Sequence, residues 1–159
     1  MEKNSSCGVV GAWIEVFGEC KERIRKYPKN DKKLRKMIFF FSPIAQPVSM
    51  IRKKVFDDIG YYNKKYPPAE DLDLWFRIGS KYNFGNIQKV LLKYRYFKES
   101  ATLKKTRLIE RLSSEIRWNN RKNRAYKFGF LERIYFLFHY ASIYIIPPRI
   151  KVWMFNKIR

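Results

Sequence analysis

Cysteine and histidine are nearly missing from this chain of 159 residues, which holds only Cys7, Cys20 and His139. Two cysteines make neither a disulfide framework nor a zinc site by themselves. They read as ordinary thiols, which suits a reduced, cytoplasmic setting, and the lone His139, inside an apolar helix, reads as a packed residue. Glycine and proline number seven each, too few for collagen-like or low-complexity character. No apolar run reaches the ~18 residues of a spanning helix. Met1 to Ser6 lack the apolar core of a signal peptide. Acidic residues are also scarce, 14 against 35 basic, which leaves a net charge of +21. A balance so basic points to nucleic acid, anionic lipid or a phosphorylated substrate.

What is abundant is aromatic surface, 18% of the chain. Disordered chains lack such residues, so a packed core of ordinary domain size is expected. Val9 to Phe17 is β-branched and aromatic and is closed by Gly18, the pattern of a strand. Glu22 to Tyr27 predicts a shorter strand that stops at Pro28. Asn30 or Asp31 can cap a helix through Lys32 to Ile38. Val48 to Ile51 predicts a short strand, Lys53 to Ile59 a helix ended by Gly60, and Val90 to Phe97 another strand. After Tyr66-Pro67-Pro68, the segment Glu70 to Ile78 predicts a helix with acids in its first turn, where they complement the positive end of the helix dipole. Asp73 and Arg77 are spaced to pair on its exposed face.

Near residue 100 the composition shifts. From Leu103 to Arg159 there are 14 basic and 3 acidic residues with 11 aromatics. Leu108, Leu112 and Ile116 form one helical stripe, and Leu131 to Ile146 predicts a helix apolar on nearly every side. The division expected is an α/β part at 1–100 and a basic, aromatic, helical tail at 101–159.

Three segments carry a resemblance. They are Ser42-Pro43-Ile44-Ala45-Gln46-Pro47 with Val48 to Arg52, then Ile59-Gly60-Tyr61-Tyr62, then Ala69-Glu70-Asp71-Leu72-Asp73-Leu74-Trp75-Phe76-Arg77 running on to Val90 to Arg95. In this order and spacing they resemble the acceptor-side half of family-2 glycosyltransferases, inverting enzymes of GT-A fold. The resemblance covers roughly residues 7 to 100. It implies that the Glu70-Asp71 pair supplies the catalytic site, with Asp71 as the base that deprotonates an acceptor hydroxyl as it attacks the anomeric carbon. At a helix start Asp71 is expected to stay ionised, a weak base that relies on geometry. Many members carry His where this chain has Gln46; Gln donates a hydrogen bond but cannot carry a proton. Gln46, Trp75 and Arg77 are the candidate substrate-binding residues. For Trp75 sugar stacking stands beside core packing, and for Arg77 phosphate binding stands beside the Asp73 pair.

The resemblance also implies a nucleotide sugar as donor, a glycan or lipid-linked acceptor, and a divalent cation, Mg or Mn, for the intact domain. Asp71-Leu72-Asp73 spells the metal pattern of such enzymes, but residues two apart on a helix point about 200° apart and cannot chelate one ion. No cofactor or metal site is therefore expected in this chain. The nucleotide-binding half would precede this region or be made separately.

Two other classes compete. A nucleic-acid-binding module fits the charge, yet no zinc-finger, RNP or KH signature is present, so no specific nucleic acid partner is expected. An inactive interaction fragment at a membrane surface fits the tail, because Ile134 to Ile146 is too short to span and is flanked by Arg133, Arg149, Lys151, Lys157, Arg159 and Trp153. That segment would lie on an anionic surface at the inner face of the membrane, with Phe136 and Tyr140 toward lipid, or would cap the core. The membrane reading is compatible with a transferase.

Overall fold

The computed structural model describes residues 4–97, 100, 104–147 and 150–151. Arg149, Trp153, Lys157 and Arg159, expected beside the tail's apolar segment, lie outside the described residues. The architecture is mixed α/β, with a small four-stranded sheet and, among the described residues, five α-helices.

Strand β1, Cys7–Gly18, is the centre of the sheet. Its apolar residues are buried on both faces, which suits a strand flanked on both edges. Along one edge runs β4, Asn83–Tyr96, parallel from Cys7↔Asn83 to Gly18↔Tyr96. The other edge is shared by two short antiparallel strands. Strand β2, Arg23–Arg25, pairs with Ile14 to Val16, and β3, Met50–Ile51, pairs with Val9 and Val10. A parallel pair requires a long crossover, and helices fill it here.

The first of them, α1 at Asp31–Met37, starts where Asn30 accepts a hydrogen bond from Lys33 N. A 3₁₀ turn at Gln46–Val48 precedes β3. Helix α2, Lys53–Ile59, ends at Gly60, whose φ of +77° only glycine adopts without strain. Helix α3, Glu70–Lys81, then leads directly into β4.

Strand β4 is longer than Val90 to Phe97 predicts. Its first half, Asn83 to Lys89, has poor strand composition, and tertiary bonds hold it extended. Asp31 Oδ1 accepts from Phe84 N at 2.9 Å, and Asn86 Nδ2 donates to the carbonyls of Pro28 and Pro43. These contacts outweigh local propensity.

The main apolar cluster lies between α3 and the sheet. It gathers Val9, Leu34, Ile38, Ile44, Leu74, Trp75, Phe76 and Ile78, all fully buried. Leu112 and Ile116 of α4, Thr106–Asn119, join the same cluster, as does Tyr126. The stripe read from the sequence therefore faces the core. A smaller cluster under the other half of β1 holds Ile14, Val16, Tyr27 and Ala45.

Part of the large basic count is structural. Arg35 donates to the carbonyls of Gly79 and Tyr82 at the end of α3. Arg77 donates to those of Ile59, Gly60 and Tyr61 at the end of α2. Arg117 donates to those of Ile38 and Phe40 just past α1. Each guanidinium satisfies carbonyls that a helix leaves unpaired and meets the negative end of its dipole.

Gly79 marks the tightest helix contact. A Cβ there would meet the Tyr126 hydroxyl and would lie 2.6 Å from the Phe84 ring. Tyr126 is held in place by donating to Phe76 O at 3.0 Å. Gly79→Ala gains up to about 1 kcal/mol of helix propensity, but overpacking costs about 1–3 kcal/mol. We expect a net loss of stability, read as a lower denaturant midpoint; an unchanged or higher midpoint would show that the contact relaxes freely.

Candidate active site

Helix α3 begins after Pro67-Pro68, a cis pair, with Ala69 as a cap that offers no side-chain bond. Its first turn therefore exposes amide donors and positive dipole to whatever lies in front of it. Glu70, Asp71 and Asp73 occupy that turn. Asp71 Oδ1 accepts from Leu72 N at 2.8 Å. Burial pushes the Asp71 carboxyl above the ordinary carboxylate value; the Leu72 amide works against the rise, Glu70 adds to it, and Arg117 opposes it. Desolvation thus makes the carboxylate more basic than a helix start alone would leave it.

Glu70 Oε2 is buried with no hydrogen-bond partner among the described residues. The orphaned oxygen beside a desolvated Asp71 gives two adjoining carboxyl groups with unspent acceptor capacity.

Arg117 is a buried charge near this turn that sequence reasoning did not single out. It is 8% exposed, and its charge reaches Asp71 from α4. Its two carbonyl bonds, both 3.3 Å, fix it against the segment after α1. Tyr135 of α5, Phe130–Ile145, donates to the same Phe40 carbonyl at 3.2 Å. The one sequence signal was position: Arg117 follows Ile116 at the edge of the buried stripe of α4.

The other candidates separate from this centre. Trp75 is fully buried in the main cluster, so it offers no face to a sugar, and core packing is the correct reading. Arg77 binds Asp73 at 2.9 Å and three carbonyls of the α2 terminus, which occupies the guanidinium and leaves it no phosphate role. That pair is also not on an exposed face, since Asp73 is 9% exposed. Gln46 is exposed at the start of the 3₁₀ turn, where its carbonyl accepts from Ser49 N and Ser49 Oγ. No hydrogen bond or ion pair among the described residues joins it to the start of α3.

His139 sits in α5 with Nδ1 3.3 Å from Ser114 Oγ and its ring stacked on Tyr135. Burial, with Arg117 and Lys151 adding to it, pushes its pKa down to about 4, so it is neutral at neutral pH. It is packed, as expected. Cys7 is buried, and burial raises its thiol, which makes it a poor nucleophile.

The residues here do not fit a divalent cation between Asp71 and Asp73. The Asp73 carboxylate is committed to Arg77, and Asp71 Oδ1 turns back onto its own helix. No chemistry is routed through a metal at this pair.

Comparison with known proteins adds an independent observation. Over 152 residues the chain is 24% identical to an uncharacterized glycosyltransferase of Methanocaldococcus jannaschii, covering 90% of this chain and 50% of that protein. It is 27% identical over 163 residues to the UDP-Gal:alpha-D-GlcNAc-diphosphoundecaprenol beta-1,3-galactosyltransferase of Escherichia coli, covering 99% of this chain and 58% of that one. The likeness is to glycosyltransferases. The chain spans about half the length of these curated relatives. No protein-family model matches it, and neither does any solved structure. Among the described residues no helix is long and apolar enough to cross a membrane.

Proposed function

We propose that this chain is the acceptor-side half of a family-2, GT-A glycosyltransferase, and that Asp71 is its catalytic base. The observation that carries the reading is the pair of acids in the first turn of α3: Asp71, whose Oδ1 accepts from Leu72 N, beside Glu70, whose buried Oε2 has no partner among the described residues. The acceptor hydroxyl gives its proton to Asp71 while its oxygen forms the new bond to the anomeric carbon. The bond from that carbon to the diphosphate breaks on the opposite face, and the configuration inverts. Glu70 lies beside Asp71 to accept a second acceptor hydroxyl through its free Oε2. The donor's diphosphate is held by a nucleotide-binding half outside these 159 residues, which is where a divalent cation belongs.

The acceptor class follows from the better-defined relative, whose name gives a sugar on diphosphoundecaprenol. A lipid-diphosphate-linked sugar is the acceptor proposed here, and the strongly basic chain suits its diphosphate. The test is transfer of labelled sugar from a panel of uridine and guanosine diphosphate sugars to lipid-diphosphate-linked N-acetylglucosamine. The protein is assayed alone and with an extract of native cells lacking its gene, which supplies any separate partner. A lipid-linked disaccharide that requires the added protein is expected. Its absence with every donor, under both conditions, would contradict the reading.

A further inference from the structure

Helix α5 is apolar on nearly every side, and the protein covers only one of its faces. At 3.6 residues per turn, one half of its circumference points away from the protein. That half carries Phe130, Leu131, Leu137, Phe138, Tyr144 and Ile145, each between 62% and 76% exposed. Arg133 is the only charged residue on it. The inward half holds Glu132, Tyr135, Phe136, His139 and Ser142, with Ile143 alone fully buried. A surface of contiguous large apolar side chains marks an interaction site, whereas single exposed ones do not.

Three features select the occupant. The 16 residues of α5 make a rod about 24 Å long, shorter than the ~30 Å of bilayer hydrocarbon, so the helix suits lying in an interface rather than crossing it. Tyr140 and Tyr144, with hydroxyls 3.5 Å apart, border the apolar strip beside Arg133 and give it a polar rim at headgroup depth. Finally, Arg121, Lys122, Arg124 and Lys127 lead into the helix. Pairing two copies through this face would press these charges, and two chains of +21, together. An anionic surface would gain from the same charges.

We propose that the outward face of α5 is a docking surface for anionic membrane, with the helix in the plane of the headgroups. Phe136, expected on the lipid side with Tyr140, instead stacks on Trp118 at 5.1 Å and holds α5 to α4. The lipid face is built around Leu137 and Phe138. The inference does not rest on the transferase reading, and its test uses no sugar donor.

The experiment is flotation of the full chain with vesicles of phosphatidylcholine containing about a third phosphatidylglycerol, at about 0.15 M and about 1 M salt, where the screening length falls from ~8 to ~3 Å. Binding is expected to weaken at high salt but persist, because the apolar part is not screened. Leu137→Gln with Phe138→Gln, a pair that leaves the net charge unchanged, should lower the salt-resistant binding at least tenfold, with the thermal midpoint unchanged. Failure of the wild type to float, or equal binding by the variant, would overturn the proposal. So would a wild-type dimer in sedimentation that the same variant breaks, because the face would then be an interface between copies.

Discussion

Replacing Asp71 by Asn should lower sugar transfer by about 10²- to 10⁴-fold, the usual contribution of a positioned general base. The substitution keeps the shape of the side chain and an oxygen for the Leu72 amide, but it removes the site that takes the proton. A variant keeping a tenth or more of wild-type turnover would remove Asp71 from the role of base. The same variant makes a second forecast that does not need activity. The folded-state pKa of Asp71 lies above its ordinary value of 3.8, chiefly because of burial. A group raised in this way favours folding below its unfolded pKa, and that contribution is lost as pH rises through the folded pKa. A neutral Asn escapes this loss. Relative to wild type, the variant's thermal midpoint should therefore climb as pH rises from about 4 through the raised folded-state pKa. A variant that instead becomes relatively less stable over that range would mean that the ionised Asp71 is favoured in the fold.

The largest stability effect is expected at Trp75. Its ring is fully buried among Leu74, Phe76 and the α4 stripe, so truncation to Ala leaves a large cavity. Such changes cost about 3–5 kcal/mol, a sizeable share of the ~5–15 kcal/mol that holds a domain folded. A fall of about 6–20 °C in the thermal midpoint follows for a chain of this size. Trp75→Phe should cost much less, since it keeps most of the ring and removes an Nε1 donor that is buried without a partner among the described residues. If Trp75→Ala left the midpoint in place and weakened acceptor affinity alone, the ring would be a sugar platform after all.

Local chemistry made several features legible in the sequence. The Asn30 cap, Gly60 at the end of α2 and the acidic first turn of α3 each follow from a residue type that a helix end requires. The parts that could not be read depend on distant partners. Asn83 to Lys89 is a strand because β1, Asp31 and nearby carbonyls hold it, and nothing in its composition says so. Trp75 could have faced sugar or core, and only the position of the sheet decides between them. Arg117 looked like one charge of a basic tail, yet the packing of α4 buries it against the carbonyls of Ile38 and Phe40. Helix α5 was apolar on nearly every side, so its pattern could not tell which face would be left uncovered.

The dependence of kcat/KM on pH, measured for sugar transfer between about pH 4 and pH 8, tests the central claim most directly. If Asp71 is the base, the wild-type rate should fall on the acid side with the loss of one ionisation, at a pKa above the ordinary 3.8. The residual activity of Asp71→Asn should lack that limb. An acid limb that survives unchanged in Asp71→Asn would mean that the titrating base is a different residue, and the account would be wrong.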